Sequence, residues 1–168
     1  GTVIAGYAGL PALGLGPQGT FWLIRPVNVE DGRALSAERV DPRTSLTASP
    51  VSVIPVESGY EGRDGSIRVA RSGDKLGILW FRTFNSDSED GDVLFATLDD
   101  SGAFEGPLLI SDTVDWADHT KLALAARPNG GFMAYTINPG GGNTVSVFMH
   151  PIPSTMPATT PAAVATGL

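Results

Sequence analysis

At 168 residues the chain is long enough to bury a sizeable core, and its length is that of one domain. A net charge of −7 without any basic stripe argues against nucleic acid as a partner, and no apolar run nears the roughly 18 residues of a membrane span. Cysteine is absent, which excludes disulfides, thiolate nucleophiles and zinc sites built on Cys, while 21 Gly and 13 Pro cut the chain into short elements and favour an all-β class.

In chain order, Thr2–Ala5 (TVIA) reads as a strand. It matches Ser52–Pro55 (SVIP), which also precedes a Gly/Tyr linker and an apolar pair of strands, so residues 1–5 are expected to be the last strand of an upstream unit. PALGL, the turn GPQG and TFWLI then form a hairpin at Leu10–Ile24. Ser66–Phe81 (SIRVARSGDKLGILWF) repeats it around a Ser-Gly-Asp-Lys turn, and Lys121–Tyr135 repeats it again as LALAA, RPNG, GFMAY. Setting Trp22, Ile78 and Met133 in register gives spacings of 56 and 55 residues. Pro50, Pro107 and Pro161, each before a small or apolar run, keep spacings of 57 and 54. Two independent landmarks with nearly one period define three units, at about 10–55, 66–111 and 121–166.

Each unit has room for four strands. In the second, the hairpin is followed by the polar loop NSDSEDGD, the strand VLFATLD, the turn DSGAFEG and the strand PLLIS. Imperfect alternation in VLFATL is the pattern of a strand buried on both faces. The matching stretch Ala34–Val40 (ALSAERV) is rich in helix formers, but its register with Asp92–Leu98 and the following Asp41/Asp99 predicts a strand. The third unit supplies TVSVFM at Thr144–Met149 and a weak last strand at Ala162–Ala165.

A four-stranded unit repeated with Gly-rich turns, second strands ending in Trp80 or Tyr135, an Asp-x-x-Gly turn at Leu98–Gly102 and Pro before a small strand resembles a β-propeller blade. The resemblance is to the divergent blades of sialidase-like and related secreted bacterial propellers. It implies three four-stranded antiparallel blades of an incomplete β-propeller, and an extracellular or periplasmic location. The sialidase catalytic pattern does not carry over: Leu23–Val27 (LIRPV) and Asp99–Phe104 (DDSGAF) are only faint echoes of its two motifs. A β-trefoil, also three units of four strands, is the alternative fold. Propellers have at least about four blades, so three blades leave apolar faces and strand edges that another polypeptide must cover. That partner is either a second copy or the rest of a longer chain.

In a blade, the loops joining second and third strands share a face with the linkers between blades. Here they are Arg25–Arg33, Thr83–Asp92, Thr136–Asn143, Pro55–Gly65 and Asp112–Thr120. Loops on a rigid scaffold concentrate binding residues, and these hold Tyr60, Arg63, Asp64, Asp115, Trp116, Asp118 and His119. A Trp beside carboxylates can stack on a sugar ring while the acids accept its hydroxyls, which makes a glycan a candidate ligand. The same Trp116 could equally fill the gap between two blades. Asn85, Asp87, Glu89 and Asp90 alternate oxygen ligands before Gly91, as a Ca2+ loop does, although the adjacent Glu89 and Asp90 break the usual spacing. A solvated acidic hairpin loop is the alternative there. Trp22, Trp80 and Tyr135 read as core, and His150 as structural. No catalytic residue set emerges: two histidines do not build a Ser/His/Asp triad, and no carboxylate pair stands out among plentiful acids. The expected function is a non-catalytic interaction or binding module within a larger propeller. The alternatives are a fragment of a secreted sialidase-like or other glycoside hydrolase, with catalytic residues outside this chain, and a calcium-stabilised structural subunit.

Overall fold

Short apolar runs close into local antiparallel hairpins, and among the described strands all but β1 pair with a neighbour in the chain. The computed structural model describes residues 3–7, 11–16, 19–29, 32–41, 43, 45–54, 64–83, 90–115, 122–139 and 145–153. The first sheet holds β1 (Val3–Tyr7), β2 (Ala12–Leu15), β3 (Phe21–Val29), β4 (Gly32–Asp41) and β5 (Ser45–Ile54). The second holds β6 (Asp64–Ser72), β7 (Lys75–Thr83), β8 (Asp90–Asp99) and β9 (Phe104–Asp115) in sequence order. The third holds β10 (Ala123–Ala126), β11 (Phe132–Pro139) and β12 (Val145–Ile152). All pairing is antiparallel between the strands that each hairpin or loop joins, apart from β1.

Three expectations need correcting or bounding. Val3–Tyr7 does not close an upstream unit. It pairs with the second half of β3, Val3 opposite Val29, while β2 pairs with the first half, so β1 and β2 together line one edge of the first sheet. The fourth strand expected at Ala162–Ala165 lies outside the described residues. The β-trefoil alternative does not form: among the described residues, no strand of one sheet pairs with a strand of another. Ala34–Val40, by contrast, is strand throughout, because its odd and even residues pack on opposite faces.

The second sheet is the centre of the packing. Leu76, Ile78 and Trp80 of β7 and Leu94, Ala96 and Leu98 of β8 meet Trp22, Ile24, Leu35, Ala37 and Ile54 of the first sheet. The alternate residues Leu79, Phe81, Val93 and Phe95 meet Leu122, Phe132, Ala134 and Ile152 on the side of the third. Strict period-2 alternation with both phases apolar produces a sheet buried on both faces. The first strands of the three hairpins lie side by side, with β6 between β2 and β10. Close approach is set by glycine: a Cβ on Gly77 would stand 2.6 Å from Cε1 of Phe132, and one on Gly14 3.1 Å from Cγ2 of Val69.

One register differs by a residue from the landmark alignment. Trp22 faces the second sheet, as its place in the first core shows, whereas Ile78 faces back toward the first. The residues of β7 that face onward are Leu79 and Phe81. Of the aromatics expected in the core, Trp22 and Trp80 are buried there. Tyr135 is half-buried, opposite Ala123 and Met149.

Polar groups tie the frame together. Arg68 Nε donates to the Leu122 carbonyl at 2.9 Å, joining the second sheet to the residue before β10. Lys75 pairs with Glu105. His150, half-buried against Thr136 with 3.2 Å between Nε2 and Oγ1, is held below its usual pKa by burial. The β8–β9 turn is built on Asp99, whose Oδ1 accepts from the Ser101 hydroxyl at 2.6 Å, the Ser101 amide at 2.8 Å and the Ala103 amide at 3.0 Å. The Ser101 hydroxyl chiefly, opposed by partial burial and aided by the Ala103, Ser101 and Gly102 amides, holds this carboxyl below the usual range. Its contribution is therefore complete above the unfolded carboxyl's pKa of about 4, and is lost as pH falls through the lowered folded value. Asp99→Ala is expected to destabilise by about 1 kcal/mol at pH 7. That difference in melting temperature should shrink as the pH is lowered below about 4. A deficit that stays constant with pH would refute a role for the carboxylate charge.

Candidate functional site

The four strands of the second sheet reach the same end together. Asp64, the first residue of β6, is opposite Arg82; Thr83, the last of β7, is opposite Gly91; and Asp90, the first of β8, is opposite Asp115, the last of β9. The loops 55–63, 84–89 and 116–121 leave from this end, as the blade reading expects. Five charged residues, Asp64, Arg82, Asp90, Asp92 and Asp115, gather there because each lies within two residues of where its strand stops.

Arg82 and Asp92 are directly opposed on β7 and β8, two residue pairs beyond the Trp80–Leu94 pair. Nη2 of Arg82 lies 3.3 Å from Oδ2 of Asp92, and both side chains are about nine-tenths buried. The neighbouring Gly91 lets the strands close here, since a Cβ would stand 2.2 Å from the Arg82 carbonyl oxygen and 2.6 Å from Cζ of Phe81. A guanidinium facing a carboxylate at a buried strand end is a rigid polar floor for whatever the adjoining loops present.

Among the residues singled out from sequence, the structure brings Asp64, Asp90 and Asp115 to this end by strand register. Tyr60, Arg63, Trp116, Asp118 and His119 lie outside the described residues, as do Asn85, Asp87 and Glu89 of the calcium reading. In sequence, Arg63 and Glu89 immediately precede Asp64 and Asp90, and Trp116 follows Asp115. Among the described residues, no group of three or more His, Asp or Glu is placed to hold a metal. Sequence reasoning missed Arg82 as a partner of Asp92. The available signal was an opposite-charge pair bracketing an acidic loop at facing hairpin positions.

Sequential antiparallel sheets, stacked face to face with their first strands adjacent, define an incomplete β-propeller, and three such sheets are present here. No protein-family model and no curated protein matches the chain. Solved structures similar to it include two glycoside hydrolases. One is an endo-arabinase from Bacteroides thetaiotaomicron, at 16% identity and TM-score 0.49, over 84% of this chain and 55% of that one. The other is an alpha-L-arabinofuranosidase from Podospora anserina in complex with cellotriose, at 12% identity and TM-score 0.49, over 86% of this chain and 46% of that one. This chain thus spans about half the length of each. Among the described residues, no helix is long and apolar enough to cross a membrane.

Proposed function

We propose that the chain is a binding module, itself non-catalytic, within a larger extracellular or periplasmic propeller, and that it takes a carbohydrate at the loop end of its second sheet. The convergence of Asp64, Arg82, Asp90, Asp92 and Asp115 at one end carries this reading. Carboxylates accept sugar hydroxyls, and the adjoining segments supply Tyr60, Arg63, Trp116 and His119, of which Trp116 gives a stacking face. The acidic run at Asn85, Asp87, Glu89 and Asp90 adds Ca2+ as the ion that would order this end. A fragment of a secreted sialidase-like or other glycoside hydrolase, with catalytic residues outside this chain, is the second reading, and a reading frame that encodes further blades with an arginine cluster would favour it.

Native gels cast with arabinan, cello-oligosaccharide polymers or sialylated glycoprotein, run in Ca2+ and in chelator, test the proposal. Retardation in at least one glycan is expected, lost in Trp116→Ala and weakened in chelator. Equal mobility in every gel would overturn the binding reading, and mobility indifferent to chelator would remove the ion. Release of reducing ends from any of these glycans would replace the module with a hydrolase.

A further inference from the structure

Among the described residues, positive φ falls on glycines, which adopt it without steric cost, with one exception: Ser66 has φ 52°. An L side chain in this conformation crowds the following carbonyl oxygen, so the backbone at Ser66 is strained. A glycine stands next door at Gly65, yet the left-handed residue is Ser66.

The local cause is a β-bulge. On β6, Gly65 is opposite Phe81 and Arg68 is opposite Leu79, so Ser66 and Ile67 share the place opposite Trp80. Two residues against one, the first of them left-handed, is the bulge in which glycine normally takes that first position. The surroundings hold it in place. Ile67 is buried in the core between the first and second sheets. Arg68 Nη1 donates to the Ile67 carbonyl at 3.0 Å, while its Nε donates to the Leu122 carbonyl at 2.9 Å. A strained residue persists only where its neighbours fix it in this way, and such residues cluster where ligands bind.

The position of the bulge agrees with that tendency. Ser66 lies two residues from Asp64, near the loop end of the second sheet, on the strand that runs between β2 and β10. Asp64 directly follows the segment 55–63, and Leu122, held by Arg68, directly follows 116–121. The bulge is thus joined to the bases of both segments that carry Tyr60, Arg63, Trp116, Asp118 and His119. Ser66 is only half-buried, and among the described residues its hydroxyl has no hydrogen-bond partner. The fold therefore gains nothing from the hydroxyl that would offset the strain.

We infer that Ser66 is a ligand-contacting residue of the loop end, and that the left-handed bulge is kept because it brings this hydroxyl to the glycan. The inference rests on the carbohydrate reading of that end. Ionised carboxylates such as Asp64, Asp90 and Asp115 only accept hydrogen bonds, whereas Ser66 adds an uncharged donor for the sugar's oxygens.

Thermal melting and affinity gels cast with arabinan, cello-oligosaccharide polymers or sialylated glycoprotein test this together. Ser66→Ala loses the hydroxyl and keeps the strain; Ser66→Gly loses both. Each should retain the wild-type circular dichroism and bind the retarding glycan about fivefold more weakly, the loss of one hydrogen bond. Ser66→Gly should melt about 2–4 °C above Ser66→Ala, because glycine relieves the strained backbone. The more stable variant is thus expected to be a poor binder, which a purely structural serine does not predict. Wild-type retardation of either variant would overturn the contact and leave the carbohydrate reading intact. A Ser66→Gly protein that melts no higher than Ser66→Ala, or a variant that fails to fold, would show that the serine serves the fold. A wild type retarded in none of the gels would overturn both the carbohydrate reading and the contact.

Discussion

Truncating Phe132 to alanine is expected to cost about 3–5 kcal/mol, the range for removing a large aromatic from a well-packed core. Phe132 is fully buried at the junction of the second and third sheets. Its ring centroid lies 5.2 Å from that of Phe95 at a tilt of 53°, and its edge fills the space left by the missing side chain of Gly77. No neighbour can close the gap cheaply, because Gly77 has no side chain to move and β7 is held on both edges by β6 and β8. Among the described residues, the third sheet rests on the second through Leu122, Phe132, Ala134 and Ile152, with Leu124 partly buried beside them. The loss should therefore fall unevenly. Amide exchange in β10–β12 is expected to accelerate well beyond that in β3, β4 and β7, with a lowered urea midpoint. Uniform acceleration across all three sheets would mean that the molecule unfolds only as a whole. Gly77→Val probes the same contact from the other side and should also destabilise, by overpacking rather than by a void.

How much of this was legible beforehand follows from where each piece of information resides. Hairpins are local, so the Ser-Gly-Asp-Lys turn, with Gly73 at φ 63°, and the strands around it could be read directly. VLFATL carries apolar residues in both phases, which is sufficient to predict burial on two faces. ALSAERV reads as helix by propensity and became a strand through register, and the pairing of Ala37 with Ile24 and Ser52 shows why. Ile78 was placed one residue out of phase because turn lengths differ. The β6–β7 turn has two residues where the other hairpins have five, so similar spacings between apolar landmarks end on opposite faces. The partners of Val3–Tyr7 lie 20 to 26 residues away, and nothing in TVIA specifies which edge it joins. The site divides in the same manner. Acids at strand ends could be grouped by topology alone, which set Asp64, Asp90 and Asp115 on one end. The Arg82–Asp92 contact needed register to the exact residue, since each side chain is ordinary on its own.

That pair yields the second large effect. Replacing Asp92 with leucine removes the carboxylate that faces the Arg82 guanidinium at a buried strand end, and breaking a buried ion pair from one side costs about 3–5 kcal/mol. Replacing Arg82 with methionine removes the guanidinium that faces the Asp92 carboxylate and should cost a similar amount. The combined Arg82→Met/Asp92→Leu variant should recover most of the loss, because neither charge then has to be desolvated and the pair lies two residue pairs beyond Trp80 and Leu94, where apolar side chains already pack. Urea unfolding of the wild type, both single variants and the double variant forms a thermodynamic cycle whose interaction term isolates the pair. A double variant as unstable as the worse single would show that Arg82 and Asp92 act through separate partners. The cycle also distinguishes stability from binding. A double variant that folds as well as the wild type yet no longer binds glycan would mean that this end keeps its buried charges for the ligand, since an apolar pair would hold the strands together equally well.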